Sequence, residues 1–469
     1  MDAESNQFPT DGLPEEDYQD EDCLNLTVTA PRDHLHRDSK LPVLLFLHGG
    51  AFFLGAHTWP CYSPLTFCRQ ALEASTPLIF VAANYRLGAL GFFHSPEASD
   101  LIPPNNGLHD QLRCFEWIRN NIAGFNGDPD NITAIGQSAG GESLSLHSIS
   151  GNTTPLYKRS IMFAGSPVTM PSNTPQQHQE NFLQQAQKLD IPTSDRSSED
   201  IAKDMIDIDV SKIRDLSFVG APCSSSEILP YDKPTMLLTR KQPETQVSWL
   251  EAQIVGSATF DGAISYNMMS KDPSRTDHAR SFIGIARDVL KEPQALLDLY
   301  EVKADDPDDA ALRKVSQFES DIGFFAGALS EALGAEPSRT DTYFTLFDLG
   351  NPFDGPLEKG KFATHTWDIV ALLGAYEDRS SQDYKDHIRD WRSRITKFVY
   401  GEKPWGEWDA KEGKAFIICN DGTRMESNQD YLGETRRGKL LKIAEKEAGE
   451  EGWDLLWEGV CRRFLMSGK

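Results

Sequence analysis

Gly136-Gln137-Ser138-Ala139-Gly140 follows directly on the apolar run Asn131-Ile132-Thr133-Ala134-Ile135. A strand that breaks into a helix over so few residues forces the residue between them into a strained backbone conformation. Glycines two before and two after it remove the side chains that would collide with neighbouring elements. Ser138 is therefore a candidate nucleophile, held out at the end of a strand. The same five residues also read as a Gly-Ser turn before an ordinary helix, so the surrounding pattern has to decide.

That pattern is one of alternation. Residues 24–28 alternate apolar and polar side chains as a half-buried strand does, and residues 41–47 form a short apolar run ending in His48-Gly49-Gly50-Ala51-Phe52. The glycine-rich loop is either a tight strand-to-helix turn or an oxyanion hole, whose backbone N–H groups face the oxygen that becomes negative during acyl transfer; an elbow serine later in the sheet favours the second. Residues 77–84 read as another buried strand, and Leu112, Phe115, Ile118 and Ile122 recur at helical spacing. Further strands are expected at 131–135, 160–163, 253–256, 342–348 and 415–419. Strands alternating with helices predict an α/β fold with a largely parallel central sheet covered on both faces.

Residues 172–249 and 265–333 are mostly polar and helical in pattern and read as insertions above the sheet. Residues 1–20 are acidic and interrupted by Pro9 and Pro14, so a loosely ordered segment is expected there, with 21–469 as a single domain.

Charge narrows the partners. Seventy-one acidic against 46 basic residues give a net charge of -25, which argues against nucleic acid or an anionic membrane surface. No apolar run reaches the length of a membrane span, and the start is acidic rather than basic and then apolar, so a cytoplasmic protein is expected. The seven cysteines lack zinc-ligand spacing, and only Cys61 and Cys68 lie close together. Such sparse usage predicts reduced thiols.

A serine hydroxyl needs a histidine within hydrogen-bond reach, itself held by a carboxylate. For an elbow serine in an α/β sheet the acid and the histidine follow in that order. Of eleven histidines, His278, His365 and His387 come after a suitable acid, and His365 alone follows a strand and a loop. His278 and His387 stand among charged residues and read as solvated surface histidines. Asp261, in Ser257-Ala258-Thr259-Phe260-Asp261-Gly262, fits the acid, although Asp-Gly is also a plain turn signal. Glu319 and Asp321 are the reserve acids.

The elbow is preceded by Glu21-Asp22-Cys23-Leu24-Asn25-Leu26, the His48 loop, Asn84-Tyr85-Arg86-Leu87-Gly88 and Asp128-Pro129-Asp130-Asn131-Ile132-Thr133. In this order the chain resembles the type-B carboxylesterases, which include cholinesterase-like enzymes and fungal lipases. The resemblance runs from about residue 21 to the C-terminus and is most specific in the first third. It implies an α/β-hydrolase fold with helical insertions above the site. It also implies Ser138 as nucleophile, Asp261 at the position of an acid that is more often glutamate, His365 as base, and the backbone N–H groups of Gly50, Ala51 and Ala139 as oxyanion donors.

The chain departs from the family pattern at several points. Gln137 stands where glutamate is common, Thr366 where glycine is usual, and Ala51 where a third glycine is expected. Relatives carry additional strands and a gorge-lining segment ahead of Glu-Asp-Cys, where this sequence has twenty residues, and Cys23 has no upstream cysteine for the disulfide common in secreted relatives. That short start reads either as a truncated chain or as a compact member with a more open site; with the aromatic cation-binding segment not in this sequence and Gln137 neutral, choline esters are expected to rank low.

The expected activity is serine-dependent hydrolysis of a small to medium apolar carboxylic ester through an acyl-enzyme, without cofactor or metal. Phe52, Phe53, Phe93, Gln137 and Trp367 are candidate pocket residues, with core packing the equal alternative for the aromatic ones. Acyl transfer by the same three residues, or a non-catalytic interaction protein on the same fold, are the competing functions.

Overall fold

The run Leu41-Pro42-Val43-Leu44-Leu45-Phe46-Leu47 shows no polar alternation because both of its faces are covered. In the computed structural model, which describes residues 7–9, 22–214, 216, 220–241 and 246–467, every residue of this strand is buried. Val43, Leu45 and Leu47 join one apolar cluster with Phe115 and Ile118, whereas Leu44 and Phe46 join a second with Trp391 and Ile395. Two helices supply those partners. Asn106–Asn121 buries Leu108, Phe115 and Ile118, and Gln382–Val399 buries Ile388, Trp391, Ile395 and Phe398, both at helical spacing.

The strands are β1 (Leu26–Thr29), β2 (Leu41–Leu47), β3 (Ile79–Ala83), β4 (Gly127–Gln137), β5 (Arg159–Phe163), β6 (Ala252–Ala258), β7 (Asp341–Asp348), β8 (Lys414–Cys419) and β9 (Gly422–Ser427). They form one sheet in the order β1-β3-β2-β4-β5-β6-β7-β8-β9, antiparallel at β1·β3 and β8·β9 and parallel everywhere between. The expected strands are all present. The sequence reading missed β9, whose Arg424 and Glu426 flank an exposed Met425 and so give no apolar alternation to detect.

Residues 172–249 contain the helices Pro175–Lys188, Ser198–Ile206, Val210–Arg214 and Met236–Lys241. The first opens on a reciprocal cap between Thr174 and Gln177. Phe182, Ala186, Ile201 and Met205 from this segment close an apolar cluster over Ala89 and Phe93. Residues 265–333 are helical as expected and include a π-helical turn, Ser320–Phe325. Of the N-terminal segment expected to be loose, only Gln7, Phe8 and Pro9 lie within the described residues; Gln7 and Phe8 are buried, the latter in ring contact with Trp367 and Tyr376. No disulfide joins the cysteines among the described residues. No helix among the described residues is long and apolar enough to cross a membrane.

Candidate active site

β4 ends at Gln137 between β2 and β5, so Ser138 emerges at the centre of the sheet. Its φ of 56° and ψ of -129° are strained for a residue with a side chain. The turn is possible because a Cβ on Gly136 would stand 2.3 Å from the carbonyl of Gly140, and one on Gly140 would stand 2.0 Å from Leu47 O. The first methyl would force β4 and the helix Ala139–Ser148 apart, and the second would push that helix off the end of β2. The Ser138 N–H donates to Phe163 O at 2.9 Å and its carbonyl accepts from Glu142 N at 2.8 Å, which pins the elbow from both sides.

The loop after β2 passes directly over this serine. His48 Nδ1 lies 2.8 Å from Gly49 O, and since a carbonyl can only accept, the imidazole donates there. In a trans peptide the N–H points opposite to the C=O, so Gly50 N–H is turned away from His48. Gly50 O is taken in turn by Phe53 N and Leu54 N at 2.9 and 3.0 Å, which turns Ala51 N–H the other way. No described residue accepts from either group. Ala139 is the first residue of its helix, where an N–H has no acceptor inside the helix. Ala51 and Phe52 both hold positive φ, 55° and 58°, in this turn.

Asp261 follows β6 and His365 lies in the loop after β7, and a single bridge between Phe260 and Thr364 draws those loops together. His365 Nδ1 is 2.7 Å from Asp261 Oδ1, and Asp261 Oδ2 accepts from Ala258 N at 2.8 Å. Burial pushes the Asp261 carboxyl up, while the imidazole's hydrogen bond and charge and the Ala258 N–H pull it back down. No hydrogen bond joins Ser138 to His365 among the described residues. Thr366 holds φ 69°, an outlying conformation for a β-branched residue and the physical reason glycine suits that position.

The other candidates separate clearly. Asp321 is taken up by Tyr300, Arg436 and Arg437. Glu319 is buried beside the Asp261 loop, accepting from Ser265 Oγ at 2.6 Å. His278 is not a solvated histidine as expected: it is buried against Phe464, because its helix turns that side inward. His387 is half-buried next to Gly422. Phe52 packs on Phe92, Phe93 on Phe182, and Trp367 on Phe353 and Phe8, all within apolar clusters; these three are core residues. Phe53 and Gln137 remain beside the loop and the imidazole.

Phe324, from the π-helical turn, lies against His365 with ring centroids 5.2 Å apart; it carries no motif, so sequence reasoning passed over it. No group of three or more His, Cys, Asp or Glu side chains among the described residues is placed to hold a metal.

The carboxyls around the site have a consequence for stability. Burial raises Glu319 to about 8, with help from the Asp261 charge, and Glu331 to about 7. Both therefore keep in the native state a proton that the unfolded chain releases near its ordinary carboxylate value, so their contribution declines as pH rises through 7 and 8. The melting temperature is expected to fall by a few degrees between about pH 6 and about pH 8.5, and Glu319→Gln should flatten that slope. Calorimetry across this range checks both; an identical slope in the variant would refute the assignment.

A family model describing the carboxylesterase family matches residues 2–435. The chain belongs to the carboxylesterase family. This carboxylesterase-family chain is 39% identical to para-nitrobenzyl esterase of Bacillus subtilis (strain 168) over 166 residues, 35% of this chain and 32% of that protein. It is 38% identical to bile salt-activated lipase of Homo sapiens over 149 residues, 32% of this chain and 20% of that one. A fungal relative, the inactive carboxylesterase-like protein VdtD of Byssochlamys spectabilis, is 35% identical over 149 residues, 32% of this chain and 25% of its own length. The chain thus spans a third or less of the length of these relatives. Solved structures of a thermophilic PNB esterase and a PNB esterase match 90% and 88% of this chain, and 84% and 85% of theirs, with TM-scores of 0.69 and 0.67 at 23% and 24% identity. The fold is that of an α/β-hydrolase.

Proposed function

We propose that this carboxylesterase-family protein hydrolyses small to medium apolar carboxylic esters through an acyl-enzyme on Ser138. The observation that carries the reading is the 2.7 Å Asp261–His365 hydrogen bond, buried beside a serine on a strained strand-to-helix elbow. Asp261 fixes the tautomer in which Nδ1 carries the proton and Nε2 is a free base. His365 Nε2 takes the Ser138 proton as Oγ attacks the ester carbonyl. The oxyanion that forms meets the N–H groups of Gly50, Ala51 and Ala139, each worth roughly 3 to 4 kcal/mol in the transition state. The tetrahedral species collapses as His365 returns its proton to the departing alcohol. Water then repeats the attack with His365 as base, releasing the acid and restoring Ser138.

Two features support a neutral substrate. Gln137 is uncharged, and the ring of Phe324 lies on the imidazole from which the leaving alcohol must receive its proton.

Incubation with a serine-directed organophosphonate, followed by peptide mass spectrometry, should place one adduct on Ser138 and abolish turnover of short p-nitrophenyl esters. His365→Ala should prevent that turnover, whereas His278→Ala and His387→Ala should retain it in folded protein. A folded, unlabelled and inactive wild-type protein sinks the hydrolase reading; equal activity in all three histidine variants sinks the choice of base.

A further inference from the structure

Gln137 closes β4 and is 1% exposed. Its amide Nε2 stands 3.3 Å from His365 Nε2 and 3.5 Å from His365 Nδ1. A point at such similar distances from both nitrogens cannot lie in the ring plane, where it would collide with the carbon between them; the amide therefore rides over one face of the imidazole. Phe324 lies against the same ring, inclined at 52°. Asp261 holds the Nδ1 edge. The far end of the amide, Oε1, is buried without a partner, close to where a side chain on Gly49 would sit.

We propose that Gln137 is a positioning residue for His365: an uncharged cover on the imidazole face that holds the ring to Asp261 and leaves Asp261 as the acidic group in contact with the base among the described residues. This rests on the hydrolase reading above. The hold comes from the amide's polar contact with the ring, and its lack of charge leaves the ionisation of the base to Asp261.

The charges facing this assembly are few. Asp368, from the helix Trp367–Leu373, and Glu319, at the end of Asp308–Glu319, are pushed up by burial and by the Asp261 charge, Glu319 to about 8; Arg437, from Arg436–Ala448, acts on Asp261 in the opposite sense. From the elbow helix, Glu142 accepts from the Met170 N–H, and burial pushes its carboxyl up. Phe324 brings no charge. A carboxylate in place of the Gln137 amide would add a second anion within contact distance of the ring and favour the imidazolium.

The test is the pH dependence of kcat/KM with p-nitrophenyl acetate, from about pH 5 to about pH 9, for wild type, Gln137→Glu and Gln137→Met. In Gln137→Glu the acid limb should move up by about 1 to 3 pH units, with activity lost at least tenfold near pH 6 and recovered on the alkaline side. Gln137→Met, of similar length but without hydrogen bonds, should keep the limb and lose kcat about tenfold at unchanged KM. A role in folding alone would lower both variants equally at every pH.

An acid limb in Gln137→Glu that superimposes on wild type, or wild-type kcat in Gln137→Met, overturns the proposal. If Gln137→Glu neither melts cooperatively nor takes up the organophosphonate at high pH, the kcat of Gln137→Met decides. A wild-type protein that is labelled at Ser138 but whose Gln137 variants behave as wild type refutes this inference alone; an unlabelled, inactive wild type refutes the hydrolase reading beneath it.

Discussion

Ser138→Ala is expected to lower kcat for p-nitrophenyl esters by about 10⁵ to 10⁶ while leaving the melting temperature within a degree or two of wild type. The loss is large because the proposed acyl-enzyme forms on Ser138 Oγ. His147, Ser143 and Ser145, on the same helix, are buried and bonded to Gln111, Ala139 O and Glu331, so none of the three is placed to replace it. Stability is spared because the elbow is held by main-chain bonds from Ser138 N and O, and alanine accepts the same φ of 56° no worse than serine. Residual hydrolysis should come from the oxyanion loop alone. Activity above about one per cent of wild type, measured in protein free of wild-type contamination, would show that the nucleophile lies elsewhere.

Asp261→Asn should cost about 10⁴ in kcat, through a proton in the wrong place rather than a lost contact. Asp261 Oδ2 accepts from Ala258 N–H, a buried donor that keeps its demand for an acceptor in the variant. The asparagine oxygen therefore turns to Ala258 and its NH₂ faces His365 Nδ1. That nitrogen must then accept, the ring proton moves to Nε2, and the base can no longer receive the Ser138 proton. Near-wild-type melting with a collapsed kcat is the expected signature. A loss of less than tenfold would mean that Asp261 does not orient the base, and would return Glu319 to consideration.

The parts of this site that were legible in the sequence are those where backbone geometry restricts residue type. The sharp elbow leaves no room for a Cβ at 136 and 140, and the loop after β2 leaves none at Gly49 and Gly50; both leave a readable imprint. Asp261 and His365 were reachable because each follows a strand whose apolar run is plain. What escaped was side-chain direction. Phe52, Phe93 and Trp367 sit next to motif residues, but adjacency in sequence says nothing of which face they turn to, and all three turn inward. Phe324 belongs to a π-helical turn, a local register change with no compositional mark. His278 lies in a polar run yet is buried, because one helical face can be apolar while its neighbours in sequence are charged. β9 was hidden by its own surface residues, which pair through the backbone and need no apolar side chain to do so.

The three strands that deliver Ser138, Asp261 and His365 are laid down in the sheet in the order in which the chain is made: β4, β6, then β7. Synthesis therefore presents the elbow and the loop after β2 long before the base exists, the histidine alone following the acid by 104 positions. Domains begin to organise as they emerge, so the nucleophile's half of the sheet can pair while the rest is still unwritten. A chain released early, or cut between β6 and β7, would hold a shaped serine with nothing to take its proton. With Ser138 as nucleophile and His365 as its base, ester turnover per molecule becomes a gauge of how many chains were finished.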